Sequence, residues 1–155
     1  MKTEFEVLTD TLIHISEVQQ ELEKFIHELR LRGILHDRSK LQEPEFSIFV
    51  KTRPEFKKIN YGTPEYDAII EKARVAVDHH HETNRHHTGY HKEGVLGMNL
   101  IDIIEMICDW KAAARRSPDL TFEDSLPKAF DRYEITGSLR AIIVNTLNDL
   151  GWLIK

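Results

Sequence analysis

The residues best equipped for chemistry lie between His14 and Asp109. His36-Asp37 sets an imidazole beside a carboxylate. Both are ligand types that hold one divalent ion or bridge two. Asp78-His79-His80-His81-Glu82 is followed by His86-His87 and His91, so six of the nine histidines fall in one short stretch. Neighbours on a helix stand about 100° apart, so His79, His80 and His81 cannot all face one centre. Asp102, Glu105 and Asp109 then recur at steps of three and four, along one helical face. His14 shares a face with Asp10, one turn earlier. Lys40 sits one turn after Asp37, with Arg38 and Arg85 near the two clusters in sequence. Cations beside an acid-rich metal site suit a phosphate ligand.

Each feature has a plainer explanation. His36-Asp37 also reads as a helix end with a surface histidine. The histidine stretch reads as a solvated loop, and the three acids as a solvated face. His27 has no carboxylate in register and reads as a surface residue. Asp109, between Cys108 and Trp110 and before three alanines, reads as close to helix packing, where a carboxylate is costly unless paired or metal-bound. Cys108 reads as a core residue rather than a nucleophile.

The elements that carry these groups read as helices. Phe5, Leu8, Leu12, Ile15, Leu22, Phe25, Ile26 and Leu29 form one stripe over residues 4–31, with Gly33 as the stop. Residues 36–41 form a short segment, and Pro44 opens a helix over roughly residues 43–52. Thr63-Pro64-Glu65 starts a helix that runs to about Glu82. Residues 83–98 read as a loop with three glycines. Asn99 caps a helix whose stripe is Leu100, Ile103, Ile104, Ile107 and Ala114. Two further helices run from Thr121 to about Tyr133 and from Thr136 to Gly151. The expected fold is all-α, an irregular bundle of six or seven helices forming a single domain over residues 1–155.

Composition narrows the classes. With 155 residues, 41% hydrophobic, the chain is long enough to bury about 70% of its unfolded surface. No apolar run approaches the ~20 residues that span a bilayer, so no membrane role is expected. The lone cysteine excludes a disulfide framework and a cysteine zinc site, and points to the cytoplasm. A net charge of −5 argues against general nucleic-acid binding but leaves room for a small phosphate ligand held locally. A nuclease reading of His80, Asn84 and His87 lacks both a β-hairpin and the charge for duplex DNA.

The order His14, His36-Asp37, histidine cluster, Asp109 resembles the HD superfamily of metal-dependent phosphohydrolases. His36-Asp37-Arg38-Ser39-Lys40 is similar to its HD-x-x-K form, with Ser39 where glycine is usual. His80-His81-Glu82 and Thr88-Gly89-Tyr90 resemble segments of the subgroup that hydrolyses cyclic dinucleotides, with His91 in place of proline. Over most of its length the chain also resembles a small family of uncharacterised bacterial and phage proteins, through HDRSKL, PEF, YGTPEY, HHHETNRHH and GMNLIDIIEMICDWKAA. The resemblance implies an HD-like helical fold. It implies a first metal held by His14, His36, Asp37 and Asp109, with Asp37 bridging to a second ion. His80 and His81 would complete the second site, with His86 or His87 able to replace one of them. Lys40 would contact the substrate phosphate, so Asp37 and Lys40 are the expected catalytic residues. The ligand types suit Mn, Fe, Co, Ni or Zn, one ion or two. The implied activity is hydrolysis of a nucleotide or other small phosphoester. The alternative is a non-catalytic, metal-stabilised binding or regulatory module. Oligomeric state is open.

Overall fold

Thr3 starts the first helix with a reciprocal cap. Its hydroxyl accepts from the Glu6 amide at 3.3 Å, and its own amide donates to Glu6 Oε2 at 2.6 Å. The computed structural model describes residues 3–56, 59, 63–116 and 121–153. Tyr61 and Gly62 of the YGTPEY motif lie outside the described residues. The elements in chain order are α1 (Glu4–Leu35), a 3-10 turn (Arg38–Leu41), α2 (Glu45–Phe56), α3 (Pro64–Lys72) and α4 (Arg74–Thr83). Two 3-10 turns follow (Thr88–Tyr90, Gly94–Gly97), then α5 (Leu100–Ala114), α6 (Phe122–Arg132) and α7 (Gly137–Asp149). The fold is all-α, and no strand occurs among the described residues. No helix among them is long and apolar enough to cross a membrane.

The chain divides into two compact units, residues 1–36 and 37–155. The first is α1 with its cap residue His36. The helix passes through Gly33 and continues to Leu35, beyond the expected stop. The left-handed residue that breaks the helical path is Asp37, with φ 58° and ψ 16°. Aspartate tolerates that region better than most side chains.

In the second unit, α2 packs against α4 and against the Arg38–Leu41 turn. The helix expected to run from Thr63 to about Glu82 is two helices. Ala73, fully buried with φ −95° and ψ 3°, separates α3 from α4. The expected loop over residues 83–98 holds the two 3-10 turns. The apolar core lies between α5, α6 and α7 and is built on Ile103, Met106, Ile107, Phe122, Leu126, Phe130, Ile135, Ile143 and Leu147. On α5 the buried face differs from the expected stripe. Leu100 and Ile104 are exposed, whereas Ile101, Asp102 and Met106 are buried. The helix is covered on two sides, so its acidic side is also drawn inward.

Candidate metal centre

Asp37 opens the second unit at the turn before Arg38. His80 faces inward from the last turn of α4, and His86 and His87 follow in the bend after it. One potential ligand atom from each of Asp37, His80, His86 and His87 lies within 4.8 Å of all the others. His80 Nε2 is 3.2 Å from Asp37 Oδ1, and His86 Nε2 is 3.5 Å from the same oxygen. Ligand atoms on a tetrahedral ion with bonds near 2.1 Å stand about 3.4 Å apart, so these spacings match one ion. The rings of His80 and His87 have centroids 4.7 Å apart, and those of His86 and His87 4.1 Å apart.

Buried carboxylates hold the far side of two of these rings. Glu45, fully buried at the start of α2, reaches His80 Nδ1 with Oε2 at 2.9 Å and His79 Nδ1 with Oε1 at 2.8 Å. Glu105 of α5 lies 3.3 Å from His86 Nδ1. With Nδ1–H donating to Glu45, the His80 Nε2 lone pair aims at an oxygen of Asp37. Two acceptors then face each other, and a cation between them satisfies both. His80 Nε2 and His87 Nε2 are buried and meet no hydrogen-bond geometry among the described residues. A histidine whose Nδ1 is held by a carboxylate and whose Nε2 points at another ligand has the usual form of a metal-binding imidazole. The donor set of three nitrogens and one oxygen fits a divalent transition ion.

Burial drives the His87 imidazole down to about 2, and the adjacent His86, His81 and His80 push the same way against Asp37. His87 is therefore neutral at pH 7, the form a ligand needs. Burial also lowers His81, with His80 and Arg132 adding to it.

The expected site residues separate under this geometry. Asp37 and His80 are in the cluster, and an Asp109 oxygen lies within 4.8 Å of one from Asp37. His81 is not in the group. It lines the neighbouring cleft, with its ring 4.4 Å from that of His87. His86 and His87, either of which could replace one of the His80-His81 pair, both stand in the group with Asp37 and His80. The physical reason is the 100° step between successive helical residues, which sends His79 to Glu45, His80 inward and His81 to the cleft. His14 stands exposed on α1, 22 residues before His36 on a continuous helix, or ~33 Å along the axis. The helix therefore does not bring His14 to His36. His36 is the last residue of the first unit, covalently next to Asp37.

Lys40 donates to Asp37 Oδ2 at 2.6 Å and also lines the cleft. That cleft has a volume of about 1240 Å³, and Arg53, Arg116 and Arg132 line it beside His81 and His87.

The acidic side of α5 is not solvated. Asp102 is fully buried, takes a bidentate contact from Arg85 at 3.1 and 3.0 Å, and accepts the Asn99 amide at 3.1 Å. Arg85 in turn has its carbonyl oxygen on His91 Nε2 at 2.8 Å, so the bend carrying His86 and His87 is tied to the start of α5. Gly89 sits against α4, where an added Cβ would come within 3.2 Å of His81 Cβ. Cys108 is exposed rather than core, and partial burial of its sulfur together with Glu105 and Asp109 raises its pKa.

Sequence spacing gives Glu45 no role, and it reads Glu105 only as one of three acids on a helical face. The available signal was the PEF segment, which carries Glu45. No curated protein and no solved structure matches the chain. A family model described as a family of unknown function, DUF5662, matches residues 3–149, and the chain belongs to that family.

Proposed function

We propose that the second unit binds a divalent ion through Asp37, His80, His86 and His87 and hydrolyses a nucleotide or other small phosphoester in the adjoining cleft. The observation that carries the metal is the pair of Nε2 atoms, on His80 and His86, at 3.2 and 3.5 Å from Asp37 Oδ1. Their opposite nitrogens rest on Glu45 and Glu105. The resemblance to HD phosphohydrolases supports the reaction class, and the basic lining of the cleft supports an anionic substrate. Mn, Fe, Co, Ni and Zn all suit this donor set. Asp109 beside Asp37 is the further carboxylate that a second ion would use.

Bound there, the ion supplies Lewis acidity and an acidified water. The chain supplies the rest. Glu45 and Glu105 fix the tautomer and direction of His80 and His86. Arg53 and Arg116 draw a phosphate into the cleft, and Lys40, at the mouth of the cluster, is placed to share its charge between Asp37 and a phosphoryl oxygen.

One observation favours a second reading. Lys40 is committed to Asp37 at 2.6 Å, which suits a metal-stabilised binding module without turnover. Elemental analysis of tag-free protein, followed by hydrolysis of a chromogenic phosphomonoester and diester with each of the five metals, separates the two. Bound metal with turnover that is lost in His87→Ala supports the hydrolase. Bound metal without turnover supports the module. Absence of bound metal, or turnover unchanged in His87→Ala, removes the proposed centre.

A further inference from the structure

Phe5, Leu8, Leu12, Ile15, Leu22, Ile26 and Leu29 recur on α1 at alternating steps of three and four, with Gln19 filling the one gap. That is heptad spacing over four heptads, with Phe5, Leu12, Gln19 and Ile26 at a and Leu8, Ile15, Leu22 and Leu29 at d. No residue of α1 is buried; Phe5 is 76% exposed and Leu22 55%. A strip of large apolar side chains along ~36 Å of helix, from Phe5 to Leu29, is more than a protein surface ordinarily leaves to water.

We propose that α1 pairs with α1 of a second copy as an antiparallel two-stranded coiled coil. In that register Phe5 faces Leu29 of the other copy, Leu8 faces Ile26, and Leu12 faces Leu22, each layer occurring twice by symmetry. Ile15 and Gln19 face each other in the two central layers, which brings the two Gln19 amides one layer apart. The flanking positions choose the direction. Antiparallel pairing sets Val18 against Val18 and Glu4 against Arg32 at both ends. Arg32 also holds Glu28 of its own helix at 3.1 Å. Parallel pairing would set Val18 beside Glu23 and Phe25 beside Arg30, with no opposite-charge pair. Charge along the helix agrees. Residues 4–17 hold four acids and no Lys or Arg, whereas residues 18–35 hold three acids and three bases. Antiparallel pairing keeps the acidic halves apart.

The test uses the full chain carrying Cys108→Ser. Light scattering after size exclusion is expected to return twice the 18.1 kDa chain mass. Leu12→Glu with Leu22→Glu places charges in apolar layers and is expected to raise the dissociation constant by at least about 100-fold. Circular dichroism of that variant checks that the second unit stays folded. Under oxidation, a mixture of Leu8→Cys and Ile26→Cys chains is expected to cross-link, and each variant alone is not. A monomer at high concentration overturns the proposal. So does a dimer that ignores the double substitution, which would mean that another surface covers or replaces the stripe. Self-cross-linking of Leu8→Cys alone would show a parallel pair and overturn it equally.

Discussion

Glu45 Oε2 lies 2.9 Å from His80 Nδ1, and both residues are buried. That contact turns the opposite nitrogen of His80 onto Asp37. It joins α2 to α4 across 35 residues of sequence and sets a helix-packing contact beside the candidate ligands. Glu45→Gln keeps the volume and removes the charge. Metal affinity should fall ~10–100-fold, measured by competition with a chromogenic chelator. Affinity unchanged in Glu45→Gln would remove the orienting role.

Replacing each histidine separates ligands from neighbours. His80→Ala, His86→Ala and His87→Ala should each lose bound metal on elemental analysis. His81→Ala should keep it, because His81 faces the cleft. Loss of metal in His81→Ala alone would return the assignment to the adjacent His80-His81 pair.

Asp37 and Lys40 should part company. Asp37→Ala should abolish metal binding and the stabilisation that comes with it, about 2.7 kcal/mol for an ion held at 100 times its Kd. Lys40→Ala should retain metal with equal or higher affinity, since it frees Asp37 from a competing cation. Inhibition by inorganic phosphate should weaken in Lys40→Ala. Metal lost as fully as in Asp37→Ala would make Lys40 a structural partner of the ligand carboxylate instead of a phosphate anchor.

The pH dependence follows from His87. Its imidazole titrates near 6.5 when unfolded and is driven to about 2 in the fold. Between those values the unfolded chain binds the extra proton, so stability rises with pH across that window. In the presence of a chelator, denaturant midpoints should be level above pH 6.5 and fall steadily as the solution is acidified below it. His87→Phe should flatten that slope. A slope unchanged in His87→Phe would place the lost stability in other groups.

Arg85→Ala should destabilise by about 2 kcal/mol in urea unfolding, because it leaves the buried Asp102 carboxylate short of its principal donor. It should also loosen the bend that carries His86 and His87, seen as faster amide exchange there. An effect near zero would mean that water or the Asn99 cap satisfies Asp102 by itself.

Much of this molecule is legible in one dimension. Apolar spacing of three and four, the Thr63, Asn99 and Thr121 starts, and the absence of alternating runs all report local backbone preference, and α1, α3, α5 and α6 follow them. Residue type alone also marks His36-Asp37, the histidine stretch and the three acids of α5 as metal-ligand chemistry. What periodicity could not supply was the partner of each group. Gly33 reads as a stop, yet α1 runs through it because Gly33 is helical and the left-handed turn falls at Asp37. Ala73 reads as mid-helix, yet its backbone leaves helical dihedrals and separates α3 from α4. Glu105 reads as one acid of a solvated face, and spacing gives Glu45 no mark at all. The fold buries Glu45 fully and leaves Glu105 little exposed, and a carboxylate taken from water must find a donor. Helical spacing encodes which residues share a face, but not which face another helix will cover. That His86 and His87, rather than His81, stand beside Asp37 and His80 was therefore decided by the packing of segments far apart in the chain.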